Sequence, residues 1–153
     1  MKLRIIWLGK TRDPWIKQGV TEYSGRIGRY LPLAIDELKD EKDATLEEGR
    51  RREGERLLKQ LSPNAVLVAL DERGHQLDSV KFAEFIGKHR DGGTTELVFA
   101  IGGSYGFSDE VRNRAGKVLA LSAMTFTHQM VRPFLLEQIY RACTILNNEP
   151  YHH

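Results

Sequence analysis

The run Ala65-Val-Leu-Val-Ala-Leu70 constrains this chain more than any other segment. A strand that alternates apolar and polar residues needs cover on one face only. One that is apolar throughout needs cover on both, as in a parallel sheet flanked by helices. The remaining sequence supplies the parts. Lys2–Gly9 is short, branched and apolar and predicts a first strand; Leu31–Leu38 predicts a second. Between them Asp13 caps a helix that Pro14 preorganises, with Trp15, Val20, Tyr23 and Ile27 on its apolar side. Thr45-Leu-Glu-Glu48 is a capping box for a helix over about Thr45 to Leu61, whose charged run from Glu47 to Arg56 is expected to face water or RNA. Asp78 or Ser79 caps a third helix with Val80, Phe82, Phe85 and Ile86 as its apolar set. Strand Thr95–Ile101, a short helix opened by Ser108-Asp-Glu110, strand Lys117–Leu121 and a final helix Arg132–Asn147 complete the order. Strict alternation of strand and helix predicts an α/β fold with a mostly parallel sheet and flanking helices. With 153 residues and no linker or repeat, residues 1–153 are expected to form a single domain.

Composition narrows the classes. Apolar residues are 41% and charged residues 29%, which suits a packed globular domain and argues against disorder. The single cysteine, Cys143, excludes an internal disulfide and, with no signal-peptide pattern, points to the cytoplasm. No stretch reaches the roughly 20 apolar residues of a membrane helix. The net charge is +2, too small to announce nucleic-acid binding, although residues 111–153 hold five Lys and Arg against Glu137 and Glu149.

In open α/β sheets ligands bind beyond the carboxyl ends of strands. Three strand ends stand out: Leu70-Asp-Glu-Arg-Gly74, Ile101-Gly-Gly-Ser-Tyr-Gly106 and Leu121-Ser-Ala-Met-Thr-Phe126. Gly102 and Gly103 either admit a ligand close to the backbone or simply make a turn. Their spacing fits neither a dinucleotide fingerprint nor a P-loop. No metal site is expected: His152 and His153 are adjacent in the tail, and His75 and His89 are isolated. Ser104 lacks a nucleophile-elbow frame, and Cys143 falls in the apolar pattern of a helix.

The segments IGGSYG (101–106), LALSAMTFTHQMVRPFLLEQIYRA (119–142) and terminal PYHH resemble the SPOUT methyltransferases, and more closely the RlmH family of 23S ribosomal RNA pseudouridine N3-methyltransferases. The N-terminal segment IIWLGKTRDPWIKQGVTEYSGRI fits the same family, so the likeness spans nearly the whole chain. It implies a trefoil knot in the C-terminal part, S-adenosylmethionine as cofactor, 23S ribosomal RNA as substrate, and a homodimer in which each site is completed by the partner. Where the family carries Lys or Arg after the Tyr-His pair, this chain has His153, only partly charged near neutral pH, so a phosphate contact there is expected to be weaker.

The implied chemistry distributes roles among named residues. Adenosine needs apolar walls and backbone partners, which Leu70, Gly102, Gly103, Leu121, Ser122, Ala123, Met124, Thr125 and Phe126 are placed to supply. The transfer needs an imide nitrogen in line with the methyl group and its proton removed; His128, Arg132, Tyr151 and His152 are the candidates. Arg132 has a plainer alternative, a capping or surface arginine, and Tyr151 another, a docked tail aromatic. Phe134, Leu135, Ile139 and Leu146 are either a dimer seam or monomer core. A non-catalytic α/β module that binds RNA or a nucleotide is the rival reading, and a flavodoxin-like redox protein a more distant one.

Overall fold

The computed structural model describes all residues from Met1 to His153. Five strands and five helices alternate: β1 (Lys2–Leu8), α1 (Pro14–Ile27), β2 (Leu33–Leu38), α2 (Leu46–Lys59), β3 (Val66–Gln76), α3 (Ser79–Asp91), β4 (Glu96–Ile101), α4 (Asp109–Arg114), β5 (Lys117–Ala120) and α5 (Val131–Leu146). The strands form one sheet in the order β2-β1-β4-β3-β5, and every pairing is parallel.

The period of two along each strand divides the core between two faces. Leu3, Ile5 and Trp7 of β1 join Leu97, Phe99 and Ile101 of β4 on the face covered by α1, α3 and α5. Ile6 and Leu8 join Leu67, Ala69, Val98 and Ala100 on the face covered by α2 and α4. The unbroken apolar run of β3 is thus explained: Val68 serves one layer and its neighbours Leu67 and Ala69 the other.

Local chemistry sets most helix starts. The Thr45 hydroxyl accepts from the Glu48 amide, the Asp78 carboxylate from Lys81, and the Ser108 hydroxyl from Val111. Asp13 occupies the N-cap position before Pro14, but its side chain makes no capping bond.

Several expectations need correction. In α1 the buried residues are Ile16 and Ile27, while Trp15 is 55% exposed. In α3 Val80 turns outward and Ala83 takes its place in the core. Leu135 and Ile139 are fully buried and Leu146 packs against the same core, so of the four α5 residues only Phe134 is exposed. Strand β3 does not end at Leu70: the chain bulges through residues 71–74 and rejoins β5, with Leu70 and His75 both opposite Leu119. Gly74 is what permits this, because a Cβ there would lie 2.6 Å from the Val118 carbonyl oxygen.

That contact is with backbone, which has nowhere to retreat. Gly74→Ala is expected to destabilise the protein by about 1–3 kcal/mol, the usual cost of overpacking. Urea denaturation measures it; an unchanged midpoint would mean that the bulge re-forms without the glycine.

Candidate functional site

At the carboxyl end of the sheet the loops enclose a cleft of about 930 Å³. The sheet order reverses direction at β1, with β2 on one side and β4 on the other. Loops leaving β1 and β4 therefore diverge and leave a crevice, the usual ligand position in open α/β sheets. The cleft extends across the bulge after β3 and the segment after β5.

Most of the expected cofactor residues converge here. Leu70, Gly102, Gly103, Leu121, Ser122, Thr125 and Phe126 all line the cleft, as does His128. Ala123 and Met124 do not; Met124 is 75% exposed and projects outward. The Ser122 hydroxyl accepts from the Met124 amide, which turns this short loop away from the sheet.

Gly103 works differently from the sequence expectation. A Cβ there would not enter the cleft; it would meet Glu53 Oε1 at 3.1 Å and Leu8 Cβ at 3.4 Å. The position lacks a side chain because its inner side is already occupied. Gly106, at φ +80°, takes a conformation that L side chains rarely adopt, and the Arg50 Nε donates to the neighbouring Tyr105 carbonyl at 2.6 Å.

The rim is basic. Arg12, Arg50, Arg73 and Arg112 all border the cleft. Arg73 and Arg112 both pair with Asp71 on the bulge. Burial alone would raise the Asp71 carboxyl, but the Arg73 amide and the two guanidiniums outweigh it and hold the group below its ordinary range. Arg12 was not foreseen. Its guanidinium lies 3.3 Å from His128 Nε2, and its amide donates to Gln129 Oε1. A guanidinium only donates, so Nε2 of His128 is the acceptor and its proton sits on Nδ1. Burial first, then the charges of Arg132 and Arg12, hold this imidazole below its ordinary range, so it is neutral at neutral pH.

Arg132 lies outside the cleft, contrary to expectation. It is fully buried, with Nη1 donating to the Gly9 carbonyl and Thr11 Oγ1 and Nη2 to the Leu8 carbonyl, each at 3.0 Å. Its guanidinium stacks 4.7 Å from the Trp7 ring. Burial lowers its pKa to about 10, which still leaves it charged at neutral pH. With Gln129 donating to the Lys10 carbonyl, it ties the start of α5 to the loop after β1. Arg12 and His128, which reach the cleft, leave from the two segments so tied.

The tail is docked elsewhere on the chain. Tyr151 packs edge-on against Tyr140 and donates its hydroxyl to Glu137, while His152 Nδ1 is 3.1 Å from an Arg141 guanidinium nitrogen. Neither residue lines the cleft. No three His, Cys, Asp or Glu side chains gather as a metal site, and no helix is long and apolar enough to cross a membrane.

Residues 1–152 match the family model described as "Predicted SPOUT methyltransferase". The chain is 97% identical, over the full length of both, to a ribosomal RNA large subunit methyltransferase H of Trichlorobacter lovleyi. It is 60% identical, again over the full length of both, to a protein of the same name from Geotalea daltonii. Among solved structures it resembles a probable methylase family protein from Haemophilus influenzae, with a TM-score of 0.54 at 12% identity, covering 99% of this chain and 70% of that one. That likeness speaks for the fold alone.

Each buried acceptor left without a donor costs about 1–3 kcal/mol. Arg132→Met is therefore expected to lower the unfolding free energy by at least that much. Arg132→Lys should recover only part of it, because one ammonium cannot reproduce the guanidinium fork. A Met variant as stable as the parent in urea would remove the latch from the account.

Proposed function

We propose that this chain, which belongs to the SPOUT methyltransferase family together with the ribosomal RNA large subunit methyltransferase H proteins, transfers a methyl group from S-adenosylmethionine to N3 of a pseudouridine in 23S ribosomal RNA. The observation that carries the reading is the cleft itself: seven of the nine expected cofactor residues border it, under a rim that includes Arg12 and Arg50. Its size suits a ligand such as an adenosyl amino acid. Leu70, Leu121 and Phe126 offer apolar walls to an adenine, and the paired glycines expose backbone amides.

The bound cofactor would supply an electrophilic methyl group on a sulfonium, so no protein nucleophile is required. The chain's own task is to hold the base and deal with its imide proton. Arg12 sits where it can favour the anionic imide or hold a phosphate. His128, neutral and with its Nε2 facing Arg12, is placed to donate from Nδ1 rather than to accept. Arg50 and Arg73 at the rim suit the RNA backbone.

The reading includes a homodimer. Tyr151 and His152 do not line the cleft, so a catalytic role for them would be played in the cleft of a partner subunit. Exposed Phe126 and Phe134, whose rings lie 5.5 Å apart, together with Met124, form an apolar patch beside the cleft that suits such a seam. It includes the C-terminal trefoil knot that the family resemblance implies; the position of β5 beyond β3, and the return of α5 between α1 and α3, accord with it. A ribosomal RNA substrate places the work in the cytoplasm.

The direct test is transfer of labelled methyl from S-adenosylmethionine to ribosomes lacking the modification, followed by mass mapping of the 23S RNA. The expected product is one methyl on a pseudouridine. Cofactor and RNA binding without transfer would favour the rival, a non-catalytic binding module.

Removing residues 150–153 is expected to leave cofactor binding intact while transfer falls about 10²–10⁴-fold, the scale of one lost acid–base contact. Light scattering at micromolar concentration should give a dimer mass. Full transfer by the truncated protein, or a monomer, would overturn the shared site.

A further inference from the structure

Helix α2 turns most of its charged side chains to water, as its sequence suggests, but not all of it is free. One side of it is the bed of the loop from Gly102 to Ser108. A Cβ on Gly49 would strike the Tyr105 ring at 2.7 Å, and one on Gly54 the Ser108 hydroxyl at 2.6 Å. Between these two glycines Glu53 turns inward and is only 3% exposed. Its Oε2 accepts from the Glu41 amide at 2.9 Å, while its Oε1 has no partner and lies 3.1 Å from where a Cβ on Gly103 would be. A buried carboxylate with an unsatisfied oxygen carries a desolvation cost, which the Glu41 amide and the Arg56 charge offset only in part. The charged groups around it are Asp40 and Glu41, of its own sign, and Arg56, whose guanidinium is already bonded to Lys39 and Glu41.

We propose that Glu53, one residue's thickness behind the cleft floor at Gly103, is a specificity-determining residue that favours a cationic sulfonium ligand over its neutral thioether product. The inference rests on the functional reading above. S-adenosylmethionine carries one more positive charge than S-adenosylhomocysteine, and methyl transfer removes that charge together with the methyl group. A carboxylate behind the floor thus stabilises the incoming cofactor and loses its hold when the product forms. Burial, with Asp40 and Glu41, raises the Glu53 pKa in the free protein, and a cation in the cleft favours the ionised form. Affinity for S-adenosylmethionine therefore rises with pH through the Glu53 titration, while affinity for S-adenosylhomocysteine stays flat.

Calorimetry of both ligands with the parent, Glu53→Gln and Glu53→Asp, with a thermal melt of each, tests this. Glu53→Gln keeps the shape and an acceptor for Glu41. It is expected to weaken S-adenosylmethionine about tenfold, the scale of one partly screened charge interaction, to leave S-adenosylhomocysteine nearly unchanged, and to lose the pH dependence. Glu53→Asp keeps the charge and should keep the ratio of the two affinities whatever it does to stability. Equal weakening of both ligands, or an unchanged ratio in Glu53→Gln, overturns the proposal. A parent protein that binds neither ligand overturns the functional reading and this inference with it.

Discussion

The buried guanidinium of Arg132 is the interaction on which the functional end of the molecule depends. A full positive charge is enclosed by the sheet, α1 and α5, and three oxygens of residues 8–11 satisfy it. Its only unpaired nitrogen is Nε. No carboxylate touches it directly; Glu37 stands one step away, bonded to the Thr11 hydroxyl and amide and held below its ordinary pKa by those bonds and by the nearby positive charge, against the effect of burial. The charge is tolerable because backbone carbonyls point at it and the Trp7 ring offers its face. Desolvated donors of this kind are costly to disturb, so the first turn of α5 and the loop after β1 behave as one piece.

From that piece the cleft follows. Gly9 leaves β1 at φ +89°, which turns the chain beneath the start of α5 and brings Arg12 to His128. On the opposite wall the glycine-rich loop after β4 rests on α2, whose own glycines let Tyr105 and Ser108 approach. The bulge after Leu70 closes the third side and holds its arginines through Asp71. Two walls are thus fixed from outside the cleft, one by a buried cation and one by a glycine-faced helix, and the third by an ion-pair cluster on the rim itself.

The layer architecture was legible because it depends on local signals. Period-two and unbroken apolar runs, and the oxygens of Thr45, Asp78 and Ser108 at helix starts, state it without reference to the rest of the chain. The convergence of Gly102, Gly103, Leu121, Ser122, Thr125 and Phe126 was legible too, since strand ends are where such sheets bind ligands; the outward turn of Ala123 and Met124 was not. Arg132 was not. An arginine in the first turn of a helix reads as exposed, and its partners lie more than a hundred residues away in sequence. Glu53 was hidden in a run of charge, yet a clue stood beside it: Gly49 and Gly54 sit inside a helix, where glycine costs about 1 kcal/mol unless close packing requires it. The tail was the hardest, because where Tyr151 rests in one subunit does not decide where it acts in an assembly.

Backbone hydrogen exchange with and without S-adenosylmethionine tests the central claim most directly, that the cofactor sits over the ends of β4 and β5. The account predicts slowed exchange at residues 101–107 and 121–129 and little change in α3. Protection confined to the smaller groove between α1 and α5, bordered by Arg26, Tyr30 and Tyr140, would contradict it.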